Sequence, residues 1–556
     1  MPEEKNSGAA PTATNVNKAV VAGGFVLLVL GLAQFINAYD TTAMNVAISK
    51  IVQDLNTTVT GVQIALTSYS LVMASFMIIG SKLGDIWGRK RAFTIGVAMY
   101  GTGALITALS PNLGVMIFGW SILEGLGSAL MIPAIFALVG TIFPPGKARV
   151  QGYAVIGAVA AAGAALGPLF CGFLTTYLSW RVSFACEVVV AIVVIILQAR
   201  LSIPKEEGRP SRLDFGGAVL SALGLAFVVL GVLQASNYGW IEARQPLIIG
   251  GIDLIPQGGI SPVVIFVAVG VLLLVFFALW ERHQTRINRE PLIDLSIFRT
   301  RAASAGLLAI LAMMFIQAGS LFVIPVFMQM ALGYNALNTG IALLPLSIAV
   351  ILVASQSSKL VEKFDPRILV QIGLLAMSVG VAITAVTMTS ASSTWTFLPG
   401  LLIIGVGMGL ANAPLLNLVQ SSAPAKQQSE ISGVNRAFSN LGGSLGIAIA
   451  GAILISSLMT SLSSLVAQST VLPAADKPRL EQIVHKDART VSDVQLTTYI
   501  KTEGPPQAIA NELVRINSEA RDGGLRKALA AVGVLGLFGF AMSFLLPRRQ
   551  RAKEAT

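Results

Sequence analysis

Charge is what this chain has least of. Of its 556 residues only 12% are Asp, Glu, Lys or Arg, against 54% hydrophobic, and the mean hydropathy is +0.76. A water-soluble fold of this length has no use for so much apolar surface. Cysteine is nearly absent: Cys171 and Cys186 both fall inside apolar runs, which argues against a disulfide framework or a thiolate metal site. Histidine is as scarce. His283 and His485 are both expected in loops, so no His-based relay or metal cluster is expected to cross the membrane. There is no G-x-x-x-x-G-K-[ST] stretch, hence no P-loop for ATP. No polar segment is long enough for a catalytic domain, and no enzyme is expected. The polar start, MPEEK, is acidic, and no small-residue cleavage site follows the first apolar run, so a signal peptide is not expected. The formal charge of +11 invites a nucleic-acid partner, but the positive residues sit in short segments between apolar runs, where insertion bias puts them.

What is present is a series of apolar runs of roughly 20 residues, the length that crosses a bilayer as a helix. Fourteen are expected: about 19–39, 61–81, 92–109, 113–140, 150–175, 181–199, 214–235, 260–280, 302–330, 337–357, 367–388, 394–420, 431–459 and 525–546. Two basic linkers, SIPKEEGRPSRLD and ERHQTRINREPLIDLSIFRTR, divide them six, two and six. The expected organisation is an N-terminal tail 1–18, a six-helix bundle 19–199, a linker with two extra spans 200–301, a second bundle 302–547 and a tail 548–556. Lys and Arg crowd the short loops on one side, which places both termini in the cytoplasm of a multi-pass cell-membrane protein. A polar stretch, 461–524, falls on the outer face; segments of it such as PPQAIANELVRINSEA have helical periodicity, and it reads either as a lid or hairpin over the outer mouth or as a tolerated insertion.

Gly80 to Phe93, GSKLGDIWGRKRAF, reads as a short basic loop between two spans. Gly80 and Gly84 permit close backbone approach and Gly88 a positive φ. Asp85 is placed to cap the next helix or to pair with an arginine, and Lys82, Arg89, Lys90 and Arg91 mark the side. Ser357 to Leu369, SSKLVEKFDPRIL, keeps Leu360, Glu362 and Arg367 but not the glycines, a degenerate echo that supports two homologous halves. Three acids fall within apolar runs, Asp40, Glu124 and Glu187, and no deep Lys or Arg in the first six runs neutralises them. Such a group normally faces a cavity or a partner. Asp40 reads as a proton carrier or as a cap at the end of its run, Glu124 as a carrier or as a protonated bond between helices. Three such acids in one cavity would suit protons or a lipophilic cation. Gly163 and Gly167 have the spacing that brings helices together, and Pro168 permits a bend. Trp180 and Arg181 read as an interfacial anchor. In the second half Gln317, Gln329, Asn412, Asn417 and Asn435, with Phe315, Phe322 and Phe327, supply a largely apolar wall with few polar points.

These stretches carry a family resemblance. G-x-x-L-G-D-x-x-G-R-K-R resembles the loop motif between the second and third helices of the major facilitator superfamily. D-T-T-A-M-N-V-A resembles the first-span signature of its fourteen-helix drug:proton antiporters: Asp40, Thr42, Asn45 and Ala47 match, and Ser49 stands where proline is usual. The G-x-x-x-G-P pattern of Gly163, Gly167 and Pro168, with Gly172 after it, resembles the motif of the exporters, Cys171 replacing a common glycine. The run at Trp180 matches W-R-x-x-F, with Glu187 in place of asparagine. Span four departs from the Arg-x-x-Gln-Gly pattern, for Ser121 and Glu124 replace the arginine and glutamine. PVFMQMALGYNALNTGIALLP and ISGVNRAFSNLGGSLGIA resemble the same family. The resemblance implies an all-α major facilitator fold, two six-helix bundles plus two extra helices, acting as a monomer in the lipid bilayer. It implies export of a lipophilic or cationic small molecule by alternating access, driven by a proton gradient with no cofactor or metal, Asp40 taking part in coupling. Asp40, Glu124, Glu187, Asn45, Gln34, Gln317, Gln329, Asn412, Phe315 and Phe322 are the expected cavity set. Gly80, Asp85, Gly88, Arg89, Lys90 and Glu362 are the expected latch. A carrier of lipid, siderophore or amino acid with weak coupling, and a membrane sensor or scaffold, are the competing readings.

Overall fold

Fourteen long helices make up almost all of the computed structural model, which describes residues 13–143, 147–200, 214–249, 252–388, 394–420, 428–474 and 506–547, with 422 and 477. They are α1 (Ala13–Asp54), α2 (Val59–Trp87), α3 (Arg89–Ala108), α4 (Leu113–Ile142), α5 (Lys147–Tyr177), α6 (Trp180–Ala199) and α7 (Phe215–Tyr238). After them come α8 (Pro262–Arg286), α9 (Arg301–Met330), α10 (Ala336–Lys363), α11 (Pro366–Thr387), α12 (Thr394–Gln420), α13 (Gln428–Gln468) and α14 (Gln507–Ser543). Thirteen are long and apolar enough to cross a membrane. The exception is α3, whose first turn is Arg89, Lys90 and Arg91 and which is rich in glycine; it packs against α4 and α6. Polar residues start most spans. The side chains of Thr58, Asn112, Ser179, Asp214, Ser261, Thr300, Asn335 and Asp365 each accept a bond from a free backbone N–H of the first turn. One antiparallel hairpin, β1 (Leu247–Ile249) with β2 (Ile252–Ile255), interrupts the helical order between α7 and α8 and has no precursor in the sequence reading.

The packing repeats. In the first half α1 contacts α5 and α6, α2 contacts α4, and α3 contacts α4 and α6. In the second half α9 contacts α13 and α14, α10 contacts α12, and α11 contacts α12 and α14, the same pairs eight helices later. The halves meet through α2 with α13, α5 with α10, and α1 with α9, while α7 and α8 pair with each other and α7 lies against α2 and α13.

The halves are shut at one end. We call the end carrying the start of α1 and the end of α14 the terminal face, and the other the far face. Toward the far face Gln329 Nε2 donates to the Asn45 carbonyl and Gln329 Oε1 accepts from Ser49 N, each at 2.9 Å. Gln63 Nε2 donates to the carbonyls of Ile447 and Ala448 at 3.2 and 3.3 Å. Leu337 N donates to Thr176 Oγ1 at 3.0 Å. Glycines let the backbones touch: a Cβ on Gly172 would stand 2.6 Å from the Ala336 carbonyl oxygen, and one on Gly340 2.4 Å from that of Pro168. Toward the terminal face the same helix pairs diverge. A Cβ on Gly433 of α13 would find nothing of α2 nearer than 4.0 Å, and one on Gly157 of α5 nothing within 4 Å.

Three expectations are corrected. The basic loop is hardly a loop: α2 runs through Trp87, α3 starts at Arg89, and Gly88, with φ +89°, is the whole turn. Gly80 permits close approach, its Cβ position lying 2.2 Å from the Ala129 carbonyl, but Gly84 meets only ordinary contact at 3.7 Å. Asp85 does not cap α3; it pairs with Arg89 at 3.9 Å, and Arg89 also reaches the Ala137 carbonyl and Thr141 Oγ1 on α4. The runs expected to end at 459 and to begin at 525 are longer: α13 continues to Gln468 and α14 starts at Gln507, in keeping with the helical periodicity of PPQAIANELVRINSEA, and the two extend past the apolar spans as a pair. They are joined by Leu462, Val466, Leu472, Ile516 and Ala520 and by Ser469 Oγ donating to Glu512 at 2.6 Å. Finally, Trp180 and Arg181 do not anchor to lipid. Trp180 is 1% exposed and donates to Asp54 at 3.0 Å, while Arg181 pairs with Asp54 at 3.3 Å and donates to the Ser110 carbonyl, tying the far ends of α1, α3 and α6. The Glu362 side chain lies outside the described residues.

The glycine seam makes a prediction. In a background with Cys171 and Cys186 replaced by alanine, a cysteine at the buried position Asn45 should react slowly with a membrane-impermeant maleimide. Adding Gly340→Val, which forces α5 and α10 apart, should speed labelling several-fold. Equal rates would contradict the seal described here.

Candidate functional site

The site begins with a local irregularity. Within α4, residues Ile117–Glu124 wind as a π-helix, a wider turn that often marks function. Glycine explains why α3 can lie against it. A Cβ on Gly103 would stand 2.6 Å from the Gly119 carbonyl and 2.7 Å from the Glu124 amide, and Gly96 with Gly127 repeats the contact about two turns further on. The two backbones therefore touch, and Glu124 is fixed at the end of the π segment.

Around it the fold gathers the three acids. One carboxylate oxygen from each of Asp40 (α1), Glu124 (α4) and Glu187 (α6) lies within 4.8 Å of the others, and the residues are 0%, 0% and 1% exposed. Because α1 continues to Asp54, Asp40 sits in mid-helix and not at an exit, which removes the capping reading. Trp120 Nε1 lies 3.0 Å from both Asp40 oxygens and donates to that carboxylate. The Tyr100 hydroxyl lies 2.6 Å from Glu187 Oε2. Among the described residues neither oxygen of Glu124, nor Oε1 of Glu187, has a hydrogen-bond partner. Aromatic rings wall the cluster: Tyr69 stacks on Trp120 at 5.5 Å and Phe184 meets its edge at 6.0 Å. Behind them Asn37 donates to Tyr69 and Ser128 at 3.2 and 2.9 Å.

No Lys or Arg answers these acids in any ion pair found among the described residues. Ser121, where the resembling family has an arginine, is buried and donates to the Ala65 carbonyl at 2.8 Å. Burying a carboxylate costs several kcal/mol even after relaxation, and three together without a cation are not tolerated as three charges. The arrangement therefore calls for protons or a small cation. Among the described residues three oxygens of the cluster, both of Glu124 and Oε1 of Glu187, lack a donor and are free to hold such a proton.

The remaining expected residues divide. Asn45 and Gln329 belong to the far-face seal, not to a cavity. Phe315 and Phe322 are buried in the main apolar cluster, where the helices of the second half pack. Gln34 is buried with Oε1 unpartnered, Gln317 is half-buried and Asn412 is exposed. Gly163 and Gly167 serve α1, since Cβ atoms there would meet the Phe35 and Tyr39 carbonyls at 2.6 and 2.9 Å, while Gly172 serves the contact with α10. Trp120, Tyr100 and Tyr69 were missed. The available signal was their position: Trp and Tyr in mid-span, away from an interface, need a partner for the polar tip.

Trp120→Phe keeps the ring and removes the donor. It should lower stability by about 1–3 kcal/mol, since the Asp40 oxygens lose their N–H. Thermal unfolding in lipid nanodiscs reads this, and an unshifted midpoint would contradict the assignment.

The comparisons with known proteins agree with this architecture. The chain is 28% identical to the puromycin resistance protein pur8 of Streptomyces alboniger over 76% of its own length and 80% of that protein. It is 27% identical to the tetracenomycin C resistance and export protein of Streptomyces glaucescens over 77% and 76%, and 28% to the cephamycin export protein CmcT of Amycolatopsis lactamdurans over 75% and 82%. In fold it resembles a bacterial homolog of the human lysosomal transporter Spinster, solved inward-facing and unoccupied. The TM-score is 0.59 at 14% identity, covering 94% of this chain and 96% of that one. Residues 30–447 match the family model for the Major Facilitator Superfamily, and with its two six-helix halves the chain belongs to that superfamily of membrane transporters.

Proposed function

We propose that the protein exports a lipophilic small molecule from the cell in exchange for protons, by alternating access. The observation that carries this is the acid cluster: three buried carboxylates with no countercharge, enclosed in one half, while the two halves are sealed at one face and diverge at the other. The relatives named above as resistance and export proteins support an outward direction. The basic short loops support a cytoplasmic terminal face, so the structure is read as the inward-open state. Protons balance the cluster. Their loss to the cytoplasm leaves charge in a dry site, which destabilises this packing of α1, α3, α4 and α6 and biases the halves toward the alternative arrangement. In this reading the acids carry protons and do not touch cargo, which removes the reason for requiring a cationic cargo. Arg89, held by Asp85 and bonded to the end of α4, links the α2–α3 turn to the helix that carries Glu124.

Purified protein in liposomes with an internal pH dye tests the proposal. Puromycin, tetracenomycin C and cephamycin are added in turn under an imposed pH gradient. At least one should evoke proton movement, and Asp40→Asn, Glu124→Gln and Glu187→Gln should each reduce it at least about tenfold, a loss of about 1.4 kcal/mol of coupling. Silence in the wild type, as a sensor or scaffold would give, or full activity in all three variants, would overturn it. Replacing the pH gradient by a sodium gradient should evoke nothing.

A further inference from the structure

The three acids lack a base, and a base elsewhere lacks an acid. Arg436 lies on α13, within the apolar span that begins at Ile431. Its guanidinium sits 5.3 Å above the ring of Phe136 on α4, a cation–π contact across the two halves. It forms no hydrogen bond and no ion pair with any described residue. An ionisable side chain within a span normally has a partner, and an arginine without one asks for an anion.

Its surroundings say where the anion would come from. Gly433, Arg436 and Asn440 follow one another at three- and four-residue steps, and Gly443 and Ser444 stand three and four residues beyond Asn440, so all five share a face of α13. That face looks at α2: Ser444 Oγ donates to the Thr67 carbonyl at 3.1 Å, and Gly443 and Gly433 lie opposite Ser70 and Ile78. Toward the far face the gap is closed by Gln63, and at Gly433 it has opened. Arg436 therefore stands at the wall of the cleft that widens to the terminal face, and its side chain is half-buried. One turn on, the Asn440 amide Nδ2 is buried with no acceptor. Phe136 in turn stacks on Tyr153 of α5 at 6.1 Å, so the ring under the guanidinium is backed by a second aromatic.

We propose that Arg436 and Asn440, with Phe136 and Tyr153, form a cleft site for the anionic oxygen group, carboxylate, sulfonate or phosphate, of an aromatic or lipophilic molecule. A guanidinium donates to such a group in fork geometry, and a flat ring system covers the aromatic pair. The site names the chemical class of the cargo and rests on the transporter reading above. Charge is thus divided between the halves: protons meet the acids of the first, an anion meets the arginine of the second. The same oxygens are present on anionic lipid headgroups, and the test separates the two sources.

The full chain is placed in phosphatidylcholine nanodiscs and titrated against fluorescein, with rhodamine 6G as a cation of the same ring system, using fluorescence anisotropy. Wild type should bind fluorescein more tightly than rhodamine 6G. Arg436→Gln should weaken fluorescein binding about tenfold or more while leaving rhodamine 6G unweakened, and Arg436→Lys should fall between. Equal fluorescein affinity in wild type and both variants, or a wild type that prefers rhodamine 6G, would overturn the site. Nanodiscs containing phosphatidylglycerol should give the same fluorescein affinity. Loss of the Arg436-dependent part there would show that a lipid headgroup occupies the site and would overturn its assignment to cargo. A wild type that binds fluorescein but moves no protons with any compound would sink the exchange reading and leave the anion site standing.

Discussion

Negative charge buried without positive charge is the constraint on which the first half of this molecule turns. Asp40, Glu124 and Glu187 come from three different helices, and their convergence within 4.8 Å requires α1, α4 and α6 to approach with α3 wedged beside them. That approach in turn requires Gly96, Gly103, Gly119 and Gly127, because any side chain at those positions would strike backbone. The π segment of α4 and the indole of Trp120 complete the arrangement, the first by fixing Glu124, the second by satisfying Asp40. A packed apolar core in the same place would be more stable than three acids. In the function proposed above they are a device that responds to protons, and the packing around them is the means by which protonation is felt by four helices at once.

Among the described residues the second half has no counterpart to this cluster. Its helices repeat the contacts of the first eight helices later, but its buried residues are mainly Phe, Ile, Leu and Val, and its notable charge is the unpaired Arg436. The two halves thus share a scaffold and divide the chemistry. What joins them is the far-face seal of backbone carbonyls, two glutamines and close glycine contacts, a surface of modest polar bonds that can be broken and remade without exposing a large apolar core.

Much of the architecture was legible because bilayer thickness and the need to satisfy every backbone group in lipid leave a simple pattern of apolar runs. The fourteen helices and the internal repeat were read that way, and the three acids stood out against their surroundings. Helix ends were less legible. The Asp40 run was ended too early because Asp, Thr and Asn follow it, although α1 continues to Asp54 with those residues buried among other helices. In the polar stretch near 461–524 the periodicity of PPQAIANELVRINSEA was legible, but not that this helix is continuous with the last span, because helices outside the bilayer need no apolar belt and the two helical ends are joined by only a narrow apolar contact. Partners were least legible of all. That Trp120 serves Asp40, 80 residues away, and that Gln329 closes a seal with Asn45 and does not line a cavity, depends on tertiary contacts that no local pattern records.

The central claim is that the buried acids change protonation as the transporter changes state. Infrared difference spectroscopy of the lipid-embedded protein, recorded across a pH step with and without a transported compound, reads protonated carboxyl groups directly. The account predicts carboxyl bands that disappear in Asp40→Asn, Glu124→Gln or Glu187→Gln and whose pH midpoint moves when the compound is present. Bands that survive all three substitutions, or a midpoint indifferent to every transported compound, would contradict it.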